Sequence, residues 1–221
     1  MLSRRTILIA TPLALSRPAW ALGESEAASG IRAALERGAQ AAVARLGRKD
    51  GFLGDERVRI ELPDSLKGAA RLLKATGQGH KLDDLLTAMN RAAEAAVPEA
   101  RLLLVNVAKN MSVEDALQIV KGGEDSVTQF FARKTREPLT QRFLPIVTRA
   151  TEKQALADKY NAVAGKAAGL GLVKEEDANI QHYVTRRALD GLFFMIGEEE
   201  KQIRRDPVGT GSALLKKVFG G

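Results

Sequence analysis

Asp190 stands inside ALDGLFFMI, residues 188 to 196, an apolar run that would surround a carboxylate on most sides of a helix. A carboxylate taken out of water needs a cationic partner or a proton. Arg186 and Arg187, one turn back, offer the first as a structural ion pair. The second would make Asp190 a general acid or base in a cleft, with Arg187 beside it as a ligand contact. Glu198, Glu199 and Glu200 follow, with Lys201, Arg204 and Arg205 behind them. Glu200 and Arg204 are four apart and the cations suit the negative end of a helix, so this block reads as a solvated, salt-bridged helix end. Glu198 is its catalytic candidate. Asn90 and Glu94, one turn apart in MNRAAEAAVPEA, sit among alanines. Small neighbours allow close helix packing; the functional alternative is a polar notch facing a ligand, with Glu94 as a third catalytic carboxylate.

Other chemistry is excluded by residue type. The chain has no cysteine, which removes thiol catalysis, disulfides and cysteine-held metals. His80 and His182 are the two histidines, and neither lies in a His-Glu-x-x-His or Glu-x-x-His setting. No metal site and no cofactor is expected. A Gly-x-Ser-x-Gly elbow is absent, and Gly209-Thr210-Gly211-Ser212 lacks the Gly-Lys-Ser/Thr ending of a phosphate loop, so it reads as a linker and helix cap.

The elements that must position these residues are helical. Ile31, Leu35, Ala39, Val43 and Leu46 recur every three or four residues, predicting a helix from about Ser25 to Leu46 that Gly47 stops. Asp50 to Gly54 is a turn-rich loop carrying Phe52 and Leu53, which could border an apolar groove with the alanine-rich helices. Val58, Ile60 and Leu62 alternate with Arg59 and Glu61, predicting one short extended segment near residues 57–62. Helices are then expected at about Ser65–Thr76, through Leu82–Ala93, around Leu102–Val105, from the Ser112/Asp115 capping box to Gly122, and at Asp125–Thr135 and Pro138–Ala150. Others are expected at Glu152–Ala168, Glu175–Arg205 and Ser212–Phe219. Pro98 must sit at a break or in a first turn. The expectation is one all-α domain, bundle-like, of about eight to ten helices, with the helix carrying Asp190 at its centre.

The start of the chain has another purpose. Arg4 and Arg5 precede an apolar stretch from Ile7 to Leu15, and Ala19-Trp20-Ala21 has the small residues of a cleavage site. Residues 1–21 therefore read as an export signal of twin-arginine-like form, cleaved after about Ala21, with the rest working in the periplasm. The apolar run is too short to span a bilayer, so no transmembrane anchor is expected in the mature chain. Removing Arg4, Arg5 and Arg17 lowers the formal charge from +7 to +4. Acids and bases alternate without a long block, so nucleic acid is not an expected partner, and weak association with an anionic envelope surface is all that the charge supports.

KDGFLGDERVRIELP at 49–63, MNRAAEAAVPEA at 89–100, GGEDSVTQFF from Gly122, RALDGLFFMIGEEEKQIRRDP at 187–207 and the closing SALLKKVFG resemble an exported bacterial family known as domain of unknown function forty-one ninety-seven. Asp55-Glu56 replaces an asparagine-proline pair, and Glu61 stands where proline is common. The resemblance implies an exported, mostly helical protein and brings no catalytic residue with it. Two function classes follow: a non-enzymatic binding or envelope-associated protein for an apolar ligand, peptide or protein partner, and a carboxylate-based hydrolase acting on an envelope component.

Overall fold

In the computed structural model the described residues are 19–63, 70–71, 74–152, 157–158, 160–161, 169 and 179–206, with the backbone alone for 19–27. They hold α1 (Ala19–Leu46), α2 (Gly79–Ala96), a 3₁₀ turn (Val97–Glu99), α3 (Ala100–Lys109), α4 (Val113–Lys121), α5 (Ser126–Thr151) and α6 (Ile180–Arg205), and no strand. The all-helical expectation is met. The helix number is not: six α-helices and one 3₁₀ turn are described in full, against the eight to ten expected, although residues 70–71, 74–75, 157–158 and 160–161 are helical too. The helix expected at Ser212–Phe219, the export segment 1–18 and the 209–212 turn lie outside the described residues, as do most of 65–76 and 152–168.

Part of the shortfall has a physical cause. The helices expected on either side of Glu137 are one helix, α5, which runs through Pro138 and Pro145. A helical proline orphans the carbonyl four residues before it. Here those residues are Lys134 and Gln141, both on the exposed face, where solvent can serve the carbonyl and the helix continues. Helix α6 starts later than Glu175: Asn179 is extended, and its side chain accepts the His182 N–H at 2.7 Å, capping a helix that begins at Ile180.

The extended segment near 57–62 is also corrected. Residues 56–58 form turns, and 59–63 have no regular structure and no strand partner. The alternation itself is real, since Val58 and Ile60 are buried while Arg59 and Glu61 are exposed. What replaces the ladder is side chains. Asn90 accepts the Ile60 N–H at 2.8 Å and donates to the Ile60 carbonyl at 3.0 Å, and the Tyr183 hydroxyl donates to the Glu61 carbonyl at 3.0 Å.

Helix α6 packs against α5, α1 and α2, and one apolar core joins them. The alanine-rich faces of α1 and α2 are in that core: Ala28, Ala39, Ala42, Ala92, Ala93 and Ala96 are all buried. Small side chains let the helix backbones approach, and the larger volume comes from Phe131, Phe143, Leu85 and Met89. Helices α5 and α6 run antiparallel, because Val127 meets Glu200 at one end and Arg136 meets Asp190 in the middle. Between them runs a seam that both helices line.

Candidate functional site

The structure brings four of the sequence candidates together at one place, the junction of α2 with the 47–54 loop. Asp50 adopts a left-handed φ of +64°, which aspartate tolerates better than most residues. Gly51 follows where a Cβ would lie 2.4 Å from the Leu46 carbonyl oxygen, so no larger residue fits. That turn drives Phe52 into the core with no exposed surface, worth about 2 kcal/mol of apolar burial. Glu94 then accepts both the Phe52 and Leu53 N–H groups, at 3.0 and 3.1 Å, and takes a 2.6 Å bond from Arg91. Arg91 also reaches Asp50 at 2.7 Å. Asn90, one turn before Glu94, holds Ile60 on both its donor and its acceptor sides. Glu94 and Asn90 thus anchor a loop, and Phe52 is enclosed rather than presented to a groove.

Asp190 lies elsewhere. Its side chain is 36% exposed, and it accepts from Arg136 of α5 at 3.0 Å with Arg186 at 3.6 Å. The partner across the seam, Arg136, is 54 positions away in the chain, beyond the reach of local spacing. Arg187 is half-buried, and its Nε finds no hydrogen-bond partner among the described residues. Glu198 pairs with Lys201 at 3.0 Å and faces Arg57 at 3.7 Å. It is eight residues past Asp190 on one helix, a rise of about 12 Å. Paired carboxylates that share acid and base work stand closer, at about 5–9.5 Å.

Glu200 is the residue that sequence reasoning placed in solvent. It is 3% exposed, and its carboxylate accepts the Val127 N–H at 3.2 Å and two bonds from Arg204, at 3.0 and 2.8 Å. Arg204 also donates to the Ile119 carbonyl and to Ser126. One ion pair of α6 therefore ties the end of α4 to the start of α5. Burial pushes the Glu200 carboxyl above the usual carboxylate range, against the lowering effect of Arg204.

Along the α5–α6 seam are two surface cavities, each of about 360 Å³. The first is lined by Arg136, Thr140, Leu144, His182, Thr185 and Leu189 among others. The second is lined by Glu124, Asp125, Thr128, Phe193, Phe194 and Lys201 among others. Arg136 joins them: it borders the first, and its guanidinium lies 4.9 Å over the ring of Phe193, which borders the second. Phe194 is one of two large apolar side chains exposed among the described residues.

The threonines of these two helices divide in an informative way. Thr135, Thr140, Thr148 and Thr151 each donate to the carbonyl four residues back, at 2.7 to 2.9 Å, the usual resting place of a helical hydroxyl. Thr185 and Thr128 do not: their hydroxyl oxygens are buried and have no partner among the described residues. These two line the two cavities, one each. A buried hydroxyl left unpaired costs about 1–3 kcal/mol.

No group of three or more metal-ligating side chains occurs among the described residues, and no described helix is long and apolar enough to cross a membrane. No curated protein and no solved structure matches the chain. The model of one family, described as proteins of unknown function (DUF4197), matches residues 21–220. The match covers nearly the whole chain, including the 47–63 loop, the Asn90/Glu94 anchor and both cavity-lining helices, and the chain therefore belongs to the DUF4197 family.

Proposed function

We propose that this chain is an exported, non-enzymatic binding protein whose ligand seats along the α5–α6 seam. One observation carries the reading: Thr185 and Thr128, whose buried hydroxyls have no partner among the described residues, each border one of the seam's two cavities. A cavity of about 360 Å³ lies in the size range of small-ligand sites, about 300–1,000 Å³. The catalytic alternative draws no comparable support. Glu94 is engaged by three donors, and Asp190 and Glu198 face separate partners about 12 Å apart along the helix.

Export rests on Arg4-Arg5, the apolar run behind them and the start of the family match at residue 21, beside the expected cleavage site. Replacing both arginines with lysine is expected to stop export, and unaffected export would remove the twin-arginine route. The binding reading is tested by native mass spectrometry of the mature protein purified from its own envelope. A retained ligand is expected, and Thr140→Trp, which fills the first cavity from its wall, is expected to lose it while keeping its helical circular dichroism. A protein that carries no ligand, or a ligand indifferent to plugging either cavity, would overturn it.

A further inference from the structure

We infer that the first seam cavity is a carboxylate site, taking a small ligand with one carboxylate and a short apolar body. This rests on the seam as the binding face. Four features of the cavity point to that chemistry. The Arg136 guanidinium gives one nitrogen to Asp190 and makes no other hydrogen bond among the described residues. Its central carbon lies 4.9 Å over the Phe193 ring and its side chain is 43% exposed, which leaves the rest of a donor fork at the cavity. Guanidinium forks match carboxylates in shape and charge. His182 stands exposed at the rim, available as a second donor.

Thr185 supplies the third feature. It is 1% exposed, it lines the cavity, and its hydroxyl has no partner among the described residues. A turn about χ1 exchanges its methyl and hydroxyl positions, and threonine in a helix populates both. The hydroxyl then donates to a ligand oxygen, and the cost of leaving it unpaired is recovered on binding. Leu144 and Leu189 are the fourth feature, an apolar wall for the ligand body.

Asp190 enters as a competitor. It already occupies part of the Arg136 fork, and Arg186 approaches the same carboxylate at 3.6 Å. Glu137 also borders the cavity, with one oxygen taken by Gln141 at 3.3 Å. A ligand carboxylate must share Arg136 with Asp190, so weakening Asp190 strengthens the site. A purely structural Arg136–Asp190 pair would not respond in that direction.

The test is calorimetric titration of the full mature chain with sodium octanoate, octylammonium chloride and octanol, three probes alike in body and different in head. Octanoate is expected to bind once per chain and at least about tenfold more tightly than the other two. Arg136→Gln is expected to weaken octanoate about tenfold, Thr185→Val to weaken it severalfold while raising the thermal midpoint of the free protein, and Asp190→Asn to strengthen it severalfold. Thr185→Val and Asp190→Asn are close to isosteric and carry the test should Arg136→Gln fail to fold. Octanoate that does not bind, octylammonium or octanol that bind as well, or affinity unmoved by these variants would overturn the carboxylate site. The seam reading would survive that result if the retained ligand is still lost in Thr140→Trp, so the two failures are distinguishable.

Discussion

Asn90 shows how one side chain can stand in for a strand. Its amide presents an acceptor to the Ile60 N–H and donors to the Ile60 and Leu86 carbonyls, and it is fully buried. Both edges of the amide are needed. Asn90→Asp keeps the size and the acceptor but turns a second oxygen toward two carbonyls, so it is expected to cost about 3 kcal/mol, measured by urea denaturation. A silent substitution would mean that Ile60 is held by packing alone. The pair Asn90/Glu94 was visible in the sequence as a polar feature among alanines. Its role was not, because the groups it satisfies are backbone atoms 30 to 42 residues away, which no local spacing reveals. Arg136 was not visible as a site residue for a related reason: its significance comes from Asp190 and Phe193 across the seam.

At the scale of elements, what is local was legible. The Ser112/Asp115 capping box is present on both sides, and α1 and α4 end where Gly47 and Gly122 begin. Capping depends on groups three or four residues apart, so sequence spacing is enough. The continuity of α5 was hidden because the cost of Pro138 and Pro145 depends on where the orphaned carbonyls face. The strand-like 57–62 pattern misled because alternation reports which side chains are buried, not what pairs with the backbone. The junction of α4, α5 and α6 depends on Glu200 in the same way. Removing this carboxylate takes two hydrogen bonds and the neighbouring negative charge from Arg204 and the acceptor from the Val127 N–H, so Glu200→Ala is expected to cost about 3 kcal/mol of unfolding free energy. A cost below about 0.5 kcal/mol would return Glu200 to the solvated helix end that its neighbours suggested.

Across the whole molecule, two carboxylates pull the pH dependence in opposite directions. The Arg57 side chain, hydrogen-bonded to Asp55, holds that carboxyl well below the usual range, with the Arg57 N–H and Arg45 adding to the effect. A depressed folded value contributes stability that is present above the unfolded value and lost as pH falls through the folded one. Glu200, raised by burial, does the reverse: its contribution is full below the ordinary carboxylate range and declines as pH rises through the raised folded value. Denaturation of the parent and Asp55→Asn proteins across pH is expected to show a difference that is largest near neutrality and shrinks below about pH 4. A constant difference down to the acid limit would show that Asp55 acts through shape and not charge.

The central claim is that the α5–α6 seam is the ligand-binding face of this DUF4197 member. Amide hydrogen exchange of the protein purified from its own cells, before and after any retained ligand is stripped, tests it most directly. Added protection is expected in residues 124–144 and 182–201, the stretches that line both cavities. Protection centred instead on the Phe52 loop and the Asn90/Glu94 turn, or no change at all, would contradict the claim.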